Sequence, residues 1–137
     1  TRRNQDAFEA IWESVSGRRI AYAPKRWDAP VLMQPQEQPW TNLTPGIASK
    51  HLGEFGTRGT TFAVLRLDEN RKHALSARGG WRIGFVLSGT GTIGDNALRT
   101  HSAFALEAGE SATIKAEAPL HLFLADMPAF QTAPHAA

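Results

Sequence analysis

Between Gly79 and Pro119 the chain reads GGWRIGFVLSGTGTIGDNALRTHSAFALEAGESATIKAEAP. Short apolar runs, Ile83 to Leu87, Ala103 to Leu106 and Ala112 to Ile114, alternate there with turn signals. The turns are Ser88-Gly89-Thr90-Gly91, Gly94-Asp95-Asn96 and Ala108-Gly109-Glu110. Runs this short, between Gly and Asn/Asp punctuation, predict strands of a meander rather than helices. Upstream, Ile47 to Phe55 and Thr60 to Leu67 flank Gly56-Thr57-Arg58-Gly59 and predict a hairpin. Leu120 to Ala125 supplies a last strand. At 137 residues the chain has the length of one domain.

The N-terminal part departs from this pattern. Phe8, Ile11, Trp12 and Val15 stand at i, i+3, i+4 and i+7, which predicts an amphipathic helix over residues 4 to 16. Asn4 is the expected N-cap. Asp6 and Glu9 lie near the positive end of the helix dipole, and Gly17 suits the residue just past the helix. The apolar stripe is expected to cover the barrel wall or a partner chain. Residues 20 to 46 then carry Pro24, Pro30, Pro35, Pro39 and Pro45. Proline lacks a backbone donor, so this arm can pair only in short edge pieces, Ile20 to Ala23 and Val31 to Met33. Trp27 and Trp40 are the expected anchors of the arm.

Charge and composition narrow the function. There are 15 basic and 13 acidic residues, a net charge of +2. The basic residues are spread rather than clustered on one element, which reads as solvated surface and not as a nucleic-acid footprint. No cysteine is present, so thiol nucleophiles, disulfides and zinc-thiolate sites are excluded. No apolar run approaches the roughly 18 residues that span a bilayer. The polar start TRRNQDAF does not read as a signal peptide. A cytoplasmic location is expected.

The order strand, S-G-T-G turn, strand, G-D-N turn, strand, A-G-E turn, strand resembles the core of the cupin family, from Gly46 to Pro128. The stretch LGEFGTRGTTFAVLRL is also loosely similar to the cupin-like domain of anti-sigma regulators. The resemblance implies an all-β fold, a double-stranded β-helix or jelly-roll barrel, here with one N-terminal α-helix. It divides the chain into a helix and proline-rich arm (1–45), a barrel (46–128) and a loose tail (129–137). In the family, two His and a Glu of a first motif and a His of a second hold a divalent metal inside the barrel. With the motif glycine at Gly89, the Glu position holds Arg82. The two His positions fall on Ser76 and Arg78, or on Leu75 and Ala77. With Gly109 opening the second motif, its His position holds Leu120, with His121 one residue beyond. No two of His51, His73, His101, His121 and His135 share a ligand spacing. The expectation is therefore no family-type metal site and no cofactor. His73, just before the ligand loop, reads as a surface loop residue, with an inward swing as the alternative.

A guanidinium inside a barrel needs a partner or a ligand. Glu54, Glu107 and Glu117 are the candidate partners of Arg82. The alternative is a pocket for a small organic anion, lined by Arg82, Arg78, Ser76, Trp81 and His121, with Lys115 nearby. Function is thus expected to be that of a degenerate cupin domain. Its role would be structural, as a homodimer, or small-molecule binding, and the chain would suit the C-terminal half of a two-barrel protein. The competing reading is a metal-dependent cupin enzyme, a dioxygenase or isomerase, with unusual ligands.

Overall fold

A computed structural model describes residues 5–22, 28–56 and 58–129. The chain divides into two compact units, Thr1–Pro30 and Val31–Ala137.

In the first unit, helix α1 spans Ala7–Ser16. Its N-cap is Asp6, whose carboxylate accepts a hydrogen bond from the Glu9 N–H at 2.8 Å. The cap expected from the sequence, Asn4, lies outside the described residues. Asp6 suits the position because its charge meets the helix dipole while its oxygen occupies a free amide. Gly17 ends the helix in the left-handed conformation, φ 65°, and donates to the Glu13 carbonyl at 2.9 Å. Phe8, Ile11, Trp12 and Val15 all stand exposed on it.

The second unit is almost entirely sheet. A short 3-10 turn, Pro35–Glu37, precedes ten strands. They are β1 (Thr41–Thr44), β2 (Ile47–Phe55), β3 (Thr60–Leu67), β4 (Lys72–Ser76), β5 (Arg82–Ser88), β6 (Gly91–Ile93), β7 (Asn96–Leu98), β8 (Ala103–Leu106), β9 (Ser111–Ala116) and β10 (Leu120–Asp126). Two antiparallel sheets result, in the orders β1-β2-β3-β10-β5-β8 and β4-β9-β6-β7. This is the jelly-roll arrangement expected from the turns.

Several expectations need correction. Neither Ile20 to Tyr22 nor Val31 to Met33 forms a strand, and Ala23 is outside the described residues. Two strands, β7 and β8, stand where one was expected between the G-D-N and A-G-E turns. They lie in different sheets, so the chain crosses the barrel between them. β4 follows the Asp68-Glu69-Asn70 turn, where Asn70 has φ 64°, and is not among the expected strands. Trp40 does serve as an anchor: Lys50 Nζ and Arg66 Cζ each lie 4.6 Å from its ring centroid. Lys50 also donates to the Pro35 carbonyl at 2.8 Å. Trp27 lies outside the described residues.

The core sits between the sheets. Leu65, Leu67, Leu75, Val86, Ile114, Leu120 and Leu122 are each under 2% exposed. Strict alternation explains this row. On β10, Leu120, Leu122 and Leu124 are buried and lie opposite Leu67, Leu65 and Ala63 of β3. Across β5, Leu122 and Leu124 meet Val86 and Gly84. Gly84 is required by its neighbour, since a Cβ there would lie 2.1 Å from the ring of Phe104, which is paired opposite it on β8.

Truncating the centre of this row tests it. Leu122→Ala is expected to lower stability by about 2–5 kcal/mol, as for buried leucines generally. The urea midpoint reads that loss, and Val64→Ala on the outer face of β3 should cost much less. Gly84→Val should destabilise too, because the Phe104 ring has to move.

Candidate ligand cleft

Three elements meet at one end of the barrel. On β5 the alternation turns Arg82 inward in line with the buried Gly84 and Val86, while Ile83, Phe85 and Leu87 face out. On β10 the same rule puts Asp126 in line with Leu120, Leu122 and Leu124. Arg82 and Asp126 are direct cross-strand partners. Their side chains form a two-pronged ion pair, Nε to Oδ1 at 2.5 Å and Nη2 to Oδ2 at 3.0 Å. The fork geometry of guanidinium and carboxylate favours this. On β4, part-buried His73 shares the inner face with Leu75 and lies opposite Ile114 of β9.

The loop from Ala77 to Trp81 closes the corner. Gly80 lets it press against the segment after β10: a Cβ there would lie 2.2 Å from the Met127 carbonyl oxygen. The Met127 N–H donates to the Trp81 carbonyl at 2.8 Å. Between loop, β4, β5 and the end of β10 lies a cleft of about 500 Å³. His73, Ser76, Arg78, Trp81, Arg82 and Asp126 line it. Trp81 is 45% exposed, so one ring surface is available to a ligand.

Four of the five residues expected in one pocket, Arg82, Arg78, Ser76 and Trp81, thus line a single cleft. His121 does not. It belongs to the outward row of β10, opposite Arg66 and Ser88, and its Nδ1 lies 3.0 Å from Ser88 Oγ. The ladder to β5 shifts register between His121 and Leu122, yet His121 stays outside because Leu120 and Leu122 are both fully buried. Lys115 is likewise exposed on β9 and apart from the cleft. The partner of Arg82 is Asp126 rather than Glu54, Glu107 or Glu117, because register sets the two side by side. His73, read from the sequence as a surface loop residue, lines the cleft. Its place two residues before Leu75 on an alternating strand is the signal that marks it.

Burial, and then the nearby Arg82 charge, hold the His73 imidazole below its ordinary value of 6.5. It is therefore a neutral donor and acceptor near pH 7. Arg78 has no ion-pair partner among the described residues.

The residues do not fit the metal that the cupin pattern implies. Of the two readings of the His pair, Leu75 and Ala77 are the inward ones, 1% and 4% exposed, and Leu120 is 0% exposed. All three are packed into the apolar core. The Glu position holds Arg82. Among the described residues no three His, Cys, Asp or Glu side chains converge, and no helix is long and apolar enough to cross a membrane.

Comparison with solved structures agrees with the fold. An RmlC-like cupin protein from Ralstonia eutropha superposes with a TM-score of 0.62 at 15% identity, over 73% of this chain and 69% of that one. Rhodobacter sphaeroides SigE in complex with the anti-sigma ChrR gives 0.59 at 14% identity, over 88% and 77%. Salicylate 1,2-dioxygenase from Pseudoaminobacter salicylatoxidans gives 0.55 at 20% identity, over 66% of this chain and 28% of that one. Proteins of this fold thus include an enzyme and a regulatory complex. No family model and no curated protein matches the chain.

The depressed His73 value has a measurable consequence. Above pH 6.5 the imidazole is neutral in both folded and unfolded chains. As pH falls through that value the unfolded chain takes up a proton that the folded chain resists, so stability declines until the folded value is passed. His73→Gln should flatten the dependence of the melting temperature on pH between about 7 and 5. Asp126→Ala should cost about 1 kcal/mol, because the Arg82 side chain, 25% exposed, loses its partner but keeps some access to water.

Proposed function

We propose that this chain is a cupin-fold binding domain that self-associates as a homodimer and holds a small organic anion in the cleft at the barrel mouth. The observation that supports this reading is the exchange of roles along the inner wall. The positions that hold a metal in the cupin pattern carry Leu75, Ala77 and Leu120, which fill the core. The fourth carries Arg82, held by Asp126 beside an open cleft.

The lining suits a carboxylate attached to a flat, apolar body. Arg78 offers a guanidinium without a partner among the described residues. Arg82 spends Nε and Nη2 on Asp126 and keeps Nη1. Ser76 adds a hydroxyl and Trp81 a face for stacking. With His73 neutral and Arg82 balanced by Asp126, the excess charge is that of Arg78, matching one anionic group. A metal-dependent dioxygenase, the activity named for the salicylate relative, needs several converging donors, which the inner wall does not offer.

Calorimetry with benzoate as the probe tests the reading. Binding and a raised melting temperature are expected for the wild type. Arg78→Ala should weaken binding about tenfold or more, in line with loss of a charge-assisted pair. Lys115→Ala, outside the cleft, should bind as the wild type does. Equal benzoate affinity in Arg78→Ala, or one tightly held divalent metal per chain by elemental analysis, would overturn the proposal.

A further inference from the structure

The outer face of the six-stranded sheet is covered over β2 and β3 and largely open over β5 and β8. Over β2 and β3, Trp40 packs on Lys50 and Arg66, and Met33 Cε reaches within 3.4 Å of where a Gly53 Cβ would stand. Over β5 and β8 the cover among the described residues is thinner: the His101 ring stacks on Phe85, 5.7 Å between centroids, while Phe123 of β10 packs on Phe62. There the alternation turns outward Ile83, Phe85 and Leu87 of β5, then Ala103 and Ala105 of β8, while Ala125 of β10 is buried. Ile83, Phe85 and Leu87 are 39%, 37% and 44% exposed. Ala103 and Ala105 keep the β8 flank low, so these three form a ridge above it, and Phe123 borders Phe85 on the β10 flank. No charged side chain interrupts it. Contiguous exposed apolar surface of this kind marks an interface in a soluble domain.

The charges at the ends of the face identify the occupant. Exposed Arg99 and His101 lead into β8, and exposed Glu107 follows it. A two-fold axis running across the strands lays two copies antiparallel. Side chains at 83, 85 and 87 are two residues apart, so two such ridges interleave. The same operation sets the Arg99 end of one copy over the Glu107 end of the other, twice. The face is thus complementary to itself in charge as well as in shape.

We infer that the open part of this sheet, over β5 and β8, is where a second copy of the chain docks. This rests on the self-association proposed above and adds the surface that carries it. Sedimentation at tens of micromolar should give twice the 14.9 kDa of one chain. Phe85→Glu should reduce the mass to that of a monomer, and so should Ala105→Arg, an exposed site where the fold tolerates the change. Glu107→Lys should weaken the dimer about tenfold, and adding Arg99→Glu should restore it. Retained benzoate binding in each variant confirms that it is folded. A monomeric wild type would refute both the self-association and this face. A dimer that persists in both Phe85→Glu and Ala105→Arg would refute the face alone. Loss of the dimer on Ile11→Lys but not on Phe85→Glu would assign the contact to α1 and overturn the inference.

Discussion

Strand β10 is hydrogen-bonded on both sides, to β3 and to β5, and its register governs the rest of the barrel unit. One residue of slip would turn Leu120, Leu122 and Leu124 to the outside and His121 and Phe123 to the core. Four buried apolar neighbours on β3 and β5, Leu65, Leu67, Val86 and Gly84, hold the strand against that slip. The same alternation, carried one step further, delivers Asp126 to the inner face. The ion pair with Arg82 is thus a consequence of core packing. Its own contribution is modest because both groups reach solvent, but its position is fixed by everything behind it.

Much of this was legible in the sequence. Both strands of the first hairpin were bounded as the structure has them, Ile47–Phe55 and Thr60–Leu67, because Gly46, the Gly56 to Gly59 turn and Asp68-Glu69-Asn70 stop them. The spacing of the cupin pattern from Gly89 set Arg82 at an inward position, and the alternation of β5 turns it to that face. What stayed unread has physical reasons. β4 and β7 are short and half polar, and they are defined by the partners that pair with them. Asp126 lies at the end of an apolar run, and only cross-strand register, which no local pattern encodes, links it to a residue 44 positions away. His121 illustrates the reverse: a histidine one place from an expected ligand position is a full reversal of face away.

The inner wall combines two solutions to burial that differ in kind. Leu75, Ala77 and Leu120 fill deep positions with apolar volume, which carries no desolvation cost. Arg82, Asp126 and His73 stand at the rim, where a charge can keep part of its hydration and a partner supplies the rest. The gradient from dry core to polar mouth places every polar group of the cleft near its opening. Chemistry available to a ligand there is recognition by charge, hydrogen bonds and one aromatic face.

The part of the proline-rich arm ahead of β1, residues 31–40, shows how a segment can be fastened without becoming sheet. Its hold on the barrel unit, among the described residues, comes from side chains: an indole beneath two cations and a lysine reaching one carbonyl. Contacts of that type contribute about 0.5–1 kcal/mol each at exposed sites. Peeling that part away, up to Trp40, therefore unpairs no strand. Neutralising the Lys50 ammonium, by acylation for instance, would loosen the strap while leaving the sheet beneath it whole.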